Sequence, residues 1–252
     1  MKESSTFIEC ARNPAGVERL QVPGDWQAQT AALGTLPGLL DQCQGACARQ
    51  HAVDGALSSL PLLRSPRSQV AIAAVAALRT LCKSRARELE SVAETIIGAL
   101  LGLAFPPRRS SFLTAASREA LDALAGAARP RSLVLPLLSR LGSPAADAAV
   151  AWLASNLAQA LLALARSTSP PVDRLVLERV ACAAVAKRSS AAPAVQLAAW
   201  QVVVALYELL AQAPGAFLAL VRAAGVPEDK ARERKVGQLL QDPRTAHSRA
   251  RA

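Results

Sequence analysis

Apolar residues return at intervals of three and four along most of the chain, and Pro and Gly break the pattern into blocks. This spacing predicts helices over 25–41, 52–63, 68–83, 91–104, 112–127, 132–141, 145–165, 172–186, 194–212 and 216–224. No run alternates apolar and polar positions as a half-buried strand would. Gly34, Pro37 and Gly38 fall inside the first block and predict a weakened or kinked helix there. Residues 1–24 carry Pro14, Gly16, Pro23 and Gly24 with little periodicity and read as irregular. Residues 227–252 mix charges of both signs and read as a disordered tail.

The blocks themselves repeat. Long helices begin near Trp26, Gln69, Phe112, Asp147 and Val195, at intervals of 43, 43, 35 and 48 residues. Apart from one compressed interval, this is the period of HEAT and armadillo arrays, roughly 40–47 residues per unit. Most long helices follow a shorter one, and no single pair can cover its own apolar face, so the pairs must stack. The fold expected over 25–226 is therefore all-α: an α-solenoid of five to six HEAT-like helix pairs. A globular helical bundle is the competing architecture.

Composition sharpens this. Of 252 residues, 55 are Ala and 38 Leu, whereas aromatics make up only 3%. Ala and Leu favour helices and fit between closely packed ones, and an all-β fold is excluded. The longest uncharged runs, 148–165 and 189–207, approach the ~20 residues that span a bilayer, but Ala-rich runs broken by Asn156, Gln159, Gln196 and Gln201 read as core helices. Five Cys without framework spacing, and a charged N-terminus, point to a reducing, cytosolic setting. The net charge of +10 favours acidic partners.

Several short segments then resemble one family. Asp25-Trp26-Gln27-Ala28-Gln29-Thr30-Ala31-Ala32-Leu33 resembles the D-W-x-x-R-x-x-A-L opening of TOG domains. Arg67-Ser68-Gln69-Val70 resembles the start of their second long helix. Ser111-Phe112-Leu113-Thr114, followed by Ala120-Leu121-Asp122-Ala123-Leu124, resembles the third, and Arg129-Pro130-Arg131-Ser132 the opening of the next short helix. In order, these segments resemble the TOG domains of the crescerin group (TOG array regulators of axonemal microtubules) and of the CLASP proteins. The resemblance implies a flat paddle whose intra-repeat turns form one edge that binds αβ-tubulin, with Trp26 at the position of the family's contact aromatic.

The same resemblance marks departures. Basic residues of the family pattern are replaced by Gln29, Gln69, Thr114, Val150 and Gln196. Other bases stand in the same turns: Arg64 and Arg67, Arg108 and Arg109, Lys187 and Arg188. On a solenoid these six share one edge, where they either meet an acidic partner or serve as ordinary solubilising surface.

Catalytic chemistry has little support. Cys43, Cys47 and His51 would string out over ~12 Å of one helix, too far for one tetrahedral ion, so no metal is expected. Only two His occur, with no nucleophile elbow, P-loop or dinucleotide fingerprint. Glu88, Glu90 and Glu94 read as a solvated helix face. The chain is expected to be neither an enzyme nor a cofactor binder. The leading expectation is a tubulin- or microtubule-binding domain of the cytoplasm and cytoskeleton, cilium and axoneme included. The alternative is a HEAT scaffold for another protein that has lost tubulin contact. A membrane role is not expected, and nucleic-acid binding ranks lowest because stacking aromatics are scarce.

Overall fold

Wherever Ala and Leu recur on one stripe, the chain is helical and the stripe is buried. The computed structural model describes residue 20 and residues 25–41, 45–106, 112–143, 145–167, 172–211 and 214–224. Among them are ten α-helices and no strand: α1 (Trp26–Asp41), α2 (Gly45–Ser59), α3 (Ser68–Ser84), α4 (Ala93–Ala104), α5 (Phe112–Ala127), α6 (Pro130–Leu141), α7 (Asp147–Ala165), α8 (Arg174–Arg188), α9 (Pro193–Leu209) and α10 (Pro214–Ala223). Two 3₁₀ turns, Pro61–Arg64 and Glu88–Val92, precede α3 and α4. In α3 the buried set is Val70, Ala71, Ala74, Val75, Ala77, Leu78, Leu81 and Cys82, a stripe of the 3.6-residue period.

The helices form two layers. The odd-numbered helices make one, with α1 on α3, α3 on α5 and α7 on α9; the even-numbered helices make the other, with α4 on α6, α6 on α8 and α8 on α10. Four complete pairs result, α2–α3, α4–α5, α6–α7 and α8–α9, flanked by α1 and α10. The architecture is an α-solenoid of HEAT-like pairs, as the period predicted. Long helices begin at Trp26, Ser68, Phe112, Asp147 and Pro193, so the compressed interval lies between α5 and α7.

That interval has a structural counterpart. Neighbouring long helices pack closely except α5 and α7, which stand apart. Three contacts cross or flank the gap. Trp152 Nε1 donates to Asp122 Oδ1 at 2.7 Å, the Phe105 and Trp152 rings lie 6.3 Å apart, and Arg118 stacks 4.8 Å from the Phe105 ring centre. The short-helix layer, by contrast, continues across this gap, with α4 packed on α6.

Several expectations shift in detail. The second helix starts at Gly45 rather than 52 and stops at Ser59. Pro61 has no N–H to donate and opens a 3₁₀ turn, while the Gln50–Asp54 side-chain bond (2.9 Å) supports a polar first half that apolar periodicity does not reveal. Helix α1 runs through Pro37 as one helix. Within 1–24 the described residue is Leu20, which is helical, buried and hydrogen-bonded through its carbonyl to Gln29 Nε2. The tail at 227–252 and the side chains of Cys43 and Cys47 lie outside the described residues. Helix α7 is apolar and long enough to cross a bilayer, yet over half of it is buried against α6 and α9.

Of the three acidic residues expected on a solvated face, Glu90 and Glu94 instead tie neighbouring repeats together, while Glu88 pairs with Arg85 in its own turn at 3.6 Å. Glu90 accepts from the Arg129 backbone N–H and the Ser132 hydroxyl, both at 2.8 Å, and so caps the N-terminus of α6 from outside that helix. Glu94 accepts from Ser139 Oγ at 2.7 Å and sits 3.9 Å from Arg140 Nη2. Arg140 lies flat over Gly98, where a Cβ would meet its guanidinium carbon at 2.5 Å, so glycine there makes room for the bridge. Because positions 90 and 94 meet 132 and 139 in the same order, successive short helices run parallel.

Candidate protein-interaction edge

Two short-to-long connections are described in full, residues 60–67 ahead of α3 and 189–192 ahead of α9, and they are built alike. In the first, the Arg67 N–H donates to Ser65 Oγ (3.3 Å); in the last, the Ala192 N–H donates to Ser190 Oγ (3.2 Å). Each hydroxyl closes a local turn just ahead of a long helix, a job for which Ser suits better than an apolar residue.

Trp26 opens α1, with Asp25 Oδ1 capping the helix by accepting from Ala28 N–H at 2.9 Å. The ring is half-buried, and the Arg67 guanidinium lies 5.4 Å from its centre. Arg64, in the adjoining 3₁₀ turn, is exposed. Trp26 and Arg67 thus form one aromatic and basic pair, with exposed Arg64 three residues before Arg67 in the chain. At the far end of the array Lys187 and Arg188 end α8, both half-buried, and Arg188 stacks 5.2 Å from the ring centre of Trp200. Sequence reasoning misses this second Trp–Arg pair, because Trp200 lies in the second turn of α9 and reads as core. Arg108 and Arg109 lie outside the described residues.

The positions at which the family's basic residues are replaced serve packing or turn closure, with one exception. Gln29 reaches the Leu20 carbonyl at 3.4 Å. Gln196 Nε2 donates to the Ser190 carbonyl at 2.6 Å and so ties α9 to its own entry turn. Val150 is buried in α7, and Thr114 Oγ1 is buried without a hydrogen-bond partner among the described residues. The exception is Gln69, which is exposed.

The array is similar in fold to solved chains, among them one from a structure on the structural basis of microtubule plus end tracking by XMAP215, CLIP-170 and EB1, which matches at a TM-score of 0.50 and 15% identity, over 83% of this chain and 88% of that one. The likeness is one of fold. No family model matches the sequence, and no curated protein does.

Half-buried Trp26 and Trp200 each lie beneath an Arg, which gives a cationic surface with apolar backing. Among the described residues no three His, Cys, Asp or Glu side chains converge as metal ligands. The buried thiol of Cys82 is held neutral, its pKa pushed up to about 12 by desolvation, which is the opposite of what a nucleophile needs.

Proposed function

We propose that the chain is a non-catalytic, TOG-like domain that binds tubulin or microtubules through its turn edge and acts in microtubule organisation or dynamics in the cytoplasm, the axonemes of cilia included. One observation carries this reading. In a fold similar to that of the plus-end-tracking structure, Trp26 opens the first long helix with Arg67 stacked on it, and Arg64, in the same turn as Arg67, is exposed. Arg108, Arg109, Lys187 and Arg188 extend the basic edge along later turns in this reading. Docking involves no covalent step and no cofactor. Exposed charge pairs each contribute up to about 1 kcal/mol, so binding is weak and salt-sensitive and gains from avidity when several such units act together.

A second reading is a scaffold for another protein. It is favoured by Gln29 and Gln196, which are spent on intramolecular hydrogen bonds, and by Val150, which is buried. Co-sedimentation with taxol-stabilised microtubules, run beside gel filtration with free tubulin dimer, separates the two. Pelleting that is lost on combined Arg64→Glu and Arg67→Glu replacement supports tubulin recognition. Indifference to both forms of tubulin at low salt supports the scaffold, and pelleting with nucleic acid alone overturns both.

A further inference from the structure

The outer face of the long-helix layer carries a feature that the turn edge does not use. Where α5 and α7 stand apart, an open groove of about 650 Å³ runs between α5, α7 and α9. It continues toward the opposite edge as a second hollow of about 390 Å³ beside the end of α5, and the two share Gly126, Asn156 and Gln159. From Ala148 to Ala163 the groove follows α7 for roughly 22 Å, enough for six or seven residues of extended chain.

The lining is specific in three ways. First, it offers unspent amide groups. Gln159 is exposed without a partner among the described residues; Asn156 uses only an N–H, donated to the Trp152 carbonyl at 2.9 Å; and Gln201 uses only its oxygen, which accepts from Ser155 Oγ at 3.3 Å. Donors on Gln201 and Gln159 and acceptors on Asn156 and Gln159 therefore face open space, the complement of the alternating N–H and C=O groups of a peptide backbone. Second, positive charge outweighs negative: Arg118 lines one end and Arg87 and Arg129 the other, all exposed, against one carboxylate, Asp122, which accepts from Trp152 Nε1. Third, the walls are low. A Cβ built on Gly126 meets nothing within 4 Å, and Leu197, 46% exposed, supplies an apolar contact beside it.

We propose that this groove binds an extended acidic peptide segment of a partner protein, its backbone held by Asn156, Gln159 and Gln201 and its carboxylates by Arg118 and Arg87. This surface lies on the face of the long helices rather than on their entry turns, so it stands or falls independently of the tubulin reading.

The test uses the full chain and a fluorescein-labelled decapeptide of alternating Glu and Thr, followed by fluorescence anisotropy. Gly126→Trp fills the groove and Arg118→Glu inverts its charge; each should weaken binding by about tenfold or more. Gln159→Ala, at an exposed position, should weaken it severalfold, whereas Gly126→Ala, the size control, should leave binding unchanged. Arg64→Glu with Arg67→Glu at the turn edge should also leave it unchanged. Circular dichroism melts show which variants fold, and a photo-crosslinker on the peptide should label α5 and α7. The proposal is overturned if the folded Gly126→Trp and Gln159→Ala variants bind like wild type, if the turn-edge reversal removes binding equally, or if a control decapeptide with every Glu replaced by Gln binds as well. It is likewise overturned if no binding is detected, or if a single-stranded oligonucleotide binds more tightly and maps to the same helices.

Discussion

The Arg67 guanidinium lies 5.4 Å from the centre of the Trp26 ring and so joins the first residue of α1 to the N-terminal cap of α3. The flanking helix α1 is thereby latched to the first complete helix pair. A double-mutant cycle of Trp26→Ala and Arg67→Ala, read by thermal or urea unfolding, should give a coupling of about 0.5–1 kcal/mol, the range of cation–π pairs at exposed sites. A coupling near zero would mean that the two side chains are merely adjacent.

At the gap between α5 and α7, Trp152→Phe keeps most of the ring but removes the bond to Asp122. The bond involves a charged acceptor at an exposed site, so the expected loss is about 1 kcal/mol. Asp122→Asn should cost less, since the amide oxygen still accepts. Equal unfolding midpoints for wild type and Trp152→Phe would mean that this contact does not help hold the two halves together.

Glu90 should be the most costly of the three acidic residues to replace. Glu90→Ala removes the acceptor for the Arg129 N–H and the Ser132 hydroxyl at the start of α6, an expected loss of about 1–2 kcal/mol. Glu90→Gln keeps one acceptor and should fall between. Chemical denaturation distinguishes this from a loss within about 0.5 kcal/mol, which is what a purely solvated carboxylate would give.

The two cysteines among the described side chains divide by burial. Cys182 is exposed and should be alkylated in the native state, whereas Cys82 should react only on unfolding. Burial raises the Cys82 pKa from 9.0 to about 12, so the folded chain holds this proton more tightly than the unfolded chain. Its contribution to stability is therefore complete below pH 9.0 and declines as pH rises toward about 12. Comparing wild type with Cys82→Ala across that window should show the steeper fall in wild type; parallel curves would refute it. Peptide mapping after maleimide labelling checks the reactivity.

Helix-interior glycines without neighbours offer the opposite effect. At Gly34 and Gly102 an added Cβ meets nothing within 4 Å. Gly34→Ala and Gly102→Ala should each stabilise by about 0.5–1 kcal/mol and raise the melting temperature. A decrease at either position would show that its surroundings are too tight for a methyl group.

The helices were legible because Ala and Leu stripes and Pro–Gly breaks are local signals, and most helices end within a few residues of where periodicity places them. The first half of α2 was not, since Gln50, Asp54 and their neighbours carry no apolar stripe. Long-range partners were less legible still. That Glu90 caps α6 depends on the register between short helices, and that Arg188 meets Trp200 depends on the angle at which α8 joins α9. Neither follows from spacing. The basic turns could be read from the sequence; that Gln29 and Gln196 are tied up within the fold could not.

The separation of α5 from α7 has a mechanical consequence. A two-ply sheet whose one ply is continuous and whose other is slit flexes about the slit far more readily than elsewhere. Here the continuous ply is the row of short helices, stitched by Glu90 and Glu94, and the slit is spanned by Trp152 and Asp122. Bending of the array is accordingly expected first at this seam, where it requires no repacking of the helix pairs on either side.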